Sequence, residues 1–261
     1  MNAALWISKS GLSAQDLRLS TISNNLANVS TTGFKRDIAV FQDLLYQVQR
    51  QPGGQSSQDT QLPSGLQVGT GVKTVATKKQ HTEGTIQTTG QALDVAIMGR
   101  GFFQVLMPDG AIAYTRDGAF QLSAEGDLVT AEGLSLEPAI NVPEGSQSVT
   151  IGNDGTVTAV DGQTKQQIEI GNIQLADFVN PAGLESVGSN LYRETVASGA
   201  PTEAQPGTDG TGTLQQNALE ASNVNVVEEL VNMIETQRAY EMNSKVISTV
   251  DQMLSYVGQQ L

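Results

Sequence analysis

Two apolar stripes at opposite ends of the chain constrain its fold more than any other feature. Leu5, Leu12, Leu19 and Leu26 recur every seven residues near the start, with Ile22 and Val29 at offset positions. Val226, Met233, Tyr240, Ile247, Leu254 and Leu261 keep the same spacing at the far end, joined by Val250 and Val257. A seven-residue repeat returns a side chain to one helix face every two turns, the pattern of helices that pack lengthwise on other helices. The first helix is expected from about Asn2 to between Val29 and Thr32, with Gly33 as its stop. Asn24, Asn25 and Asn28 weaken its last turns, so alone it is marginal and needs a partner. The second is expected to start at Asn225, with Glu228 three residues on as in a capping box. A layer of two such helices exposes two apolar faces and covers only one of them by itself, which favours assembly.

Between the ends the pattern changes to short strands. Residues 72–77, 85–88, 93–98 and 102–107 read as strands, and turn pairs punctuate residues 109–162: Asp109-Gly110, Asp117-Gly118, Glu125-Gly126, Asp154-Gly155 and Asp161-Gly162. Aspartate and glycine tolerate the positive φ of such turns. Two stretches rich in Gly, Pro, Ser and Gln flank this region, one over 50–71 and one over 198–213. The expected organisation is α+β: a discontinuous coiled-coil layer made by both terminal helices, and a central antiparallel all-β domain. Its segments are 1–32 (first helix), 33–71 (extended connector and loop), 72–197 (β domain), 198–222 (linker) and 223–261 (second helix).

Composition removes several function classes. The formal net charge is −13, so a phosphate-binding surface for nucleic acid is not expected. The charge is uneven: residues 1–36 carry +3 and residues 220–261 carry −4, which reads either as terminal helices that attract one another modestly or as ordinary solvated helix faces. With no cysteine there is no disulfide, thiolate metal site or cysteine nucleophile. No stretch reaches the roughly 18 consecutive apolar residues of a membrane helix, and the short run after Asn2 is no secretory signal. His81 is the only histidine and sits among Lys78, Lys79, Gln80 and Thr82, which reads as a surface position. Gly69-Thr70-Gly71 and Gly99-Arg100-Gly101 stop short of a dinucleotide loop and read as strand-edge turns. Asp94, Asp109, Asp117, Asp154 and Asp161 include enough carboxylates for hydrolytic chemistry, but four precede a glycine or a turn. No catalytic residue, metal ligand or cofactor is expected.

The same residues carry a resemblance. Ser10-Gly11-Leu12-Ser13-Ala14, then Ile22-Ser23-Asn24-Asn25-Leu26-Ala27-Asn28-Val29, then Thr32-Gly33-Phe34-Lys35, resemble the N-terminal motif of the bacterial flagellar rod and hook proteins. The run from Ser222 through Asn223 and Asn225 to Val231, then Gln237-Arg238-Ala239-Tyr240-Glu241 and Asp251-Gln252-Met253-Leu254, resembles their C-terminal motif. In the interior, Phe41-Gln42-Asp43-Leu44-Leu45-Tyr46, Leu62-Pro63-Ser64-Gly65-Leu66 and Ala113-Tyr114-Thr115-Arg116-Asp117-Gly118 are most similar to the distal rod type.

That resemblance implies a structural subunit and not an enzyme. Copies would stack helically into a stiff tube across the periplasm, with the terminal helices as inner layer and the β domain outside. The implied partners are further copies, proximal rod proteins, the hook protein, the surrounding P and L rings and the flagellar type III export apparatus, which needs no cleaved signal. No nucleic acid or small-molecule substrate is implied. A loop over 46–68 would lock subunits, with Tyr46, Arg50, Gln51, Pro52, Gly53, Ser56, Ser57, Leu62 and Pro63 as its contacts. The residues expected to carry helix assembly are Leu5, Leu12, Leu19, Ile22, Leu26, Val29, Val226, Met233, Tyr240, Ile247, Val250 and Leu254. A proximal rod or hook subunit of the same family is the alternative, and a periplasmic hydrolase borrowing rod-like ends is a more distant one.

Overall fold

The computed structural model describes residues 3–51, 55–57, 60–61, 64–162 and 165–260. They divide into two compact units. A helical unit comprises Met1–Leu26, Asp37–Lys78 and Asn225–Leu261, and a β unit comprises Ala27–Arg36 and Lys79–Val224.

In the helical unit, α1 spans Ala3–Ala27. A turn comes next, in which Thr31 N–H donates to the Asn28 carbonyl (3.2 Å), and Gly33 then takes φ +68, a conformation glycine adopts without strain. Strands β1 (Asp37–Asp43), β2 (Gln47–Arg50) and β3 (Gln55–Ser57) run out, and β4 (Thr60–Gln61), β5 (Leu66–Val68) and β6 (Val72–Lys79) return. They pair as β1 with β6, β2 with β5 and β3 with β4, so the segment is one nested antiparallel ribbon. Its register includes Gln47 opposite Val68, Val48 opposite Gln67 and Ser57 opposite Thr60. Composition pointed to a polar loop here. Ladder bonds use the main chain, however, so a segment rich in Gln and Ser accommodates pairing.

Two side chains tie the ribbon to α1. The Ser10 hydroxyl donates to the Ile7 carbonyl (2.8 Å) and accepts from Val72 N–H (3.3 Å). The buried Asn25 amide donates to the Asp37 carbonyl and accepts from Asp37 N–H, both at 2.9 Å, as a paired strand residue would. An asparagine that weakens an isolated helix is thus the residue that anchors this one. Helix α2 spans Val226–Gln260, and the Asn225 side-chain oxygen caps it by accepting from Val227 N–H (3.0 Å) and Glu228 N–H (3.4 Å).

The β unit is antiparallel throughout. Strands β7 (Ile86–Thr88), β8 (Val95–Met98) and β9 (Phe102–Leu106) fall close to the expected positions, and β10 (Ile112–Thr115) is a further strand. The strand expected over 72–77 is β6, which lies in the helical unit and not in the β domain expected from residue 72. Strand β9 lies at the centre of a seven-stranded sheet, paired with β10, with Leu175–Asp177 and with Leu136–Glu137. Its side chains alternate between faces. Phe103 packs with Val95, Ile97, Leu128 and Leu175, while Phe102 packs with Tyr114, Phe178 and Tyr192.

Residues 198–222 are not a linker. Thr202–Ala204 pairs with Leu175–Asp177, Thr213–Gln216 pairs with β8, and Ala218–Glu220 pairs with β7. The Gly and Pro residues that suggested a linker are the turns between these short strands. Of the five turn pairs, Gly110, Gly126 and Gly155 do take positive φ (79°, 88° and 88°). Gly118 serves differently: a Cβ there would overlap the Val95 carbonyl oxygen. Gly118→Ala is therefore expected to destabilise the β unit by about 2–3 kcal/mol through overpacking against backbone. Thermal unfolding checks this, and an unchanged midpoint would contradict it.

Candidate assembly surface and buried ion cluster

The helix stripes coincide only in part with the most buried helix positions, at Ile22 and Val250. In α1 the buried residues are Ser8, Ala14, Ile22 and Asn25, whereas Leu5, Leu12, Leu19, Leu26 and the nearby Val29 are half-buried. In α2, Glu229, Thr236 and Val250 are buried, Met233 and Ile247 are half-buried, and Val226, Tyr240 and Leu254 are exposed. Near the middle of the pair, a Cβ on Gly11 would lie 3.2 Å from the Asn243 amide nitrogen. Much apolar surface is left open: Val227, Met242 and Tyr256 of α2 are 70%, 65% and 63% exposed, and Trp6 of α1 is 55% exposed.

The ribbon repeats that pattern. Leu45 is 90% exposed, and Tyr46, Val48 and Leu66 are also exposed. Tyr46 precedes β2 with its ring against Gly69, and Arg50 closes β2 opposite Leu66. Gln51 comes directly after β2, and Ser56 and Ser57 lie on β3. Pro52, Gly53, Leu62 and Pro63 lie outside the described residues.

Inside the β unit, sequence reasoning missed a charged cluster. Lys35, Glu220 and Arg116 are all buried. The Lys35 ammonium donates to Glu220 Oε1 (2.5 Å) and to the Thr82 carbonyl (2.8 Å). Arg116 donates to Glu220 Oε2 (3.3 Å) and to the Gly99 carbonyl (2.7 Å), and Gly84 N–H donates to Glu220 Oε1 (2.7 Å). Burial lowers the pKa of both Lys35 and Arg116, and Glu220 opposes that shift. Beside the cluster, the Asn223 side chain accepts from Arg36 N–H (2.8 Å) and donates to the carbonyls of Gln80 (2.8 Å) and Thr82 (3.1 Å). The signal in the sequence was Lys35, Arg116 and Asn223 standing inside the motifs already quoted. Nothing local revealed that they meet near Glu220.

His81 is not a surface side chain. It is half-buried, with its ring 5.5 Å from both Phe102 and Tyr192 in edge-on contact. Burial, with Lys35, Arg116 and Lys79 nearby, holds its pKa down to about 4. The unfolded chain protonates this residue near 6.5 and the folded chain only near 4, so the unfolded state binds more protons in between. Stability is therefore expected to fall as pH drops from 6.5 to 4, by at most about 3 kcal/mol from this residue. His81→Phe should flatten that limb in thermal unfolding measured across the range. An identical slope in both chains would refute the assignment.

The aspartates have structural work. Asp109 accepts from Ala111 N–H and pairs with Arg193, Asp117 accepts from Ala119 N–H, and Asp154 accepts from Thr156 N–H. Among the described residues, no three His, Cys, Asp or Glu side chains are grouped to hold a metal ion.

Comparison with known proteins decides the family. Residues 5–35 match the family description "Flagella basal body rod protein", residues 96–159 "Flagellar hook protein FlgE/F/G D1 domain", and residues 215–261 "Flagellar basal body rod FlgEFG protein C-terminal". The flagellar basal-body rod protein FlgG of Buchnera aphidicola from Acyrthosiphon pisum is 58% identical over 99% of this chain and 100% of its own length. FlgG of Caulobacter vibrioides is 48% identical over 98% of both chains, and FlgG of Borreliella burgdorferi is 46% identical over 97% of both. The chain belongs to the flagellar basal-body rod protein family. Within it, the chain is a structural subunit of the distal rod type, located in the basal body, and not an enzyme. The apolar stripes run through the matched ends 5–35 and 215–261, and the β unit contains the matched middle.

Proposed function

We propose that copies of this chain stack helically into the rigid distal rod, the driveshaft that carries torque across the periplasm from motor to hook. Helices α1 and α2 form its inner wall as a coiled-coil layer, the β unit faces outward, and the ribbon over 46–68 locks neighbouring subunits. The stripe residues from Leu5 to Val29 and from Val226 to Leu254 supply the helix contacts. Pro52, Gly53, Leu62 and Pro63 belong to the locking segment with Tyr46, Arg50, Gln51, Ser56 and Ser57. A head-to-tail contact whose rotation does not close builds an open helical filament of this kind. The partners are proximal rod proteins below, the hook protein above, the P and L rings around, and the type III export apparatus that delivers the chain.

The observation that carries this reading is the uncovered apolar surface of the helical unit. Val227, Leu230, Val231, Ile234 and Met242 of α2 all face water in the single chain, and a surface of that kind marks a contact with another protein. Electron microscopy of basal bodies from a strain lacking the gene tests it. The expected result is a rod that stops short and bears no hook. An intact rod and hook would overturn the reading.

A further inference from the structure

The chain passes between the two units four times, after Leu26, Arg36, Lys78 and Val224. Three of the β-unit segments next to these passages are 33–36, 79–84 and 220–224. They are bound to one another by a small set of groups. Gln80 N–H donates to the Arg36 carbonyl (2.9 Å), and Gly33 N–H donates to the Glu220 carbonyl (2.8 Å). Lys35 bridges Thr82 and Glu220, the Glu220 carboxylate takes Gly84 N–H, and Asn223 reaches Arg36, Gln80 and Thr82. Arg116 roots the knot in the sheet region by joining Glu220 to the Gly99 carbonyl at the end of β8.

Two buried cations share the Glu220 carboxylate here. Buried ion groups of this sort are seldom the most stable filling for a core; their best-attested use is to fix one arrangement among several. We propose that Lys35, Glu220, Arg116 and Asn223 form a clasp that fixes where the chain leaves and re-enters the β unit. They are positioning residues. The inference rests on the rod reading in one respect: in a rod, force handed along the chain from the helical unit arrives at this clasp.

The test compares the full chain with Lys35→Met/Arg116→Met/Glu220→Leu, which removes all three charges together. Hydrogen exchange is read at Gly33 and Gln80, whose backbone bonds the substitutions do not touch, and at Phe103, Val105 and Leu175 in the sheet. Thermal unfolding is read in parallel, and basal bodies are imaged from cells carrying the variant. The expected result is a near-unchanged unfolding midpoint and unchanged sheet exchange. Gly33 and Gln80 should exchange at least about tenfold faster, and the rods should be short or irregular. Should the triple variant not fold, Asn223→Ala leaves the charges in place and the same amides are read.

Unchanged exchange at Gly33 and Gln80 in a folded variant would overturn the clasp. Faster exchange with straight, hook-bearing rods would overturn its role in the rod. Intact rods in cells without the gene would sink the rod reading instead and leave the exchange result standing.

Discussion

Glu220→Ala is expected to cost the β unit about 3–5 kcal/mol, the penalty for leaving buried charge without its partner. The substitution leaves Lys35 and Arg116 in place, both buried, with no carboxylate between them. It also strips Gly84 N–H of its acceptor. For a unit of this size the loss corresponds to a fall in midpoint of about 10 °C. Circular dichroism of the purified chain during heating measures it. Glu220→Gln should fall in between, because it keeps an acceptor and loses the charge. A midpoint within 2 °C (roughly, the resolution set by the same scaling) for the alanine variant would show that the two cations find water once Glu220 is gone. The contrast with the triple apolar variant is informative, since removing one partner costs far more than removing all three.

Leu19→Pro and Ile247→Pro are each expected to abolish rod assembly while leaving the β unit folded. Leu19 lies inside α1 and Ile247 inside α2. A proline at either place removes a helix hydrogen bond and clashes with the preceding turn, costing about 3 kcal/mol or more. Neither residue belongs to the β unit, so its thermal midpoint should not move. Basal-body micrographs and the unfolding curve together decide the matter. Normal rods from either variant would exclude a helical wall as the basis of assembly.

The helices were legible in the sequence because a periodic stripe survives without knowledge of what covers it. The stripe does not by itself say which positions the single chain covers: its leucines in α1 are half-buried, while its Ile22 is buried together with Ser8, Ala14 and Asn25. The ribbon was hidden by its composition, because Gln47, Gln55 and Ser57 pair through their backbones and carry no apolar alternation. The stretch 198–222 was hidden for the opposite reason: its Gly and Pro residues are conspicuous, and the strands between them are only three or four residues long. His81 looked exposed because its neighbours in sequence are polar, whereas its neighbours in space are Phe102 and Tyr192. The clasp depends on contacts such as Lys35 with Glu220, 185 residues apart, which no local pattern records.

Both ends of the chain belong to the helical unit, and most of the β unit is the single uninterrupted stretch Lys79–Val224. That stretch is in effect a cassette spliced between the two ends that the proposed assembly uses. A lineage can exchange such a cassette for a larger or smaller one without redesigning the ends, provided the replacement receives residues 27–36 and returns the chain at the same place.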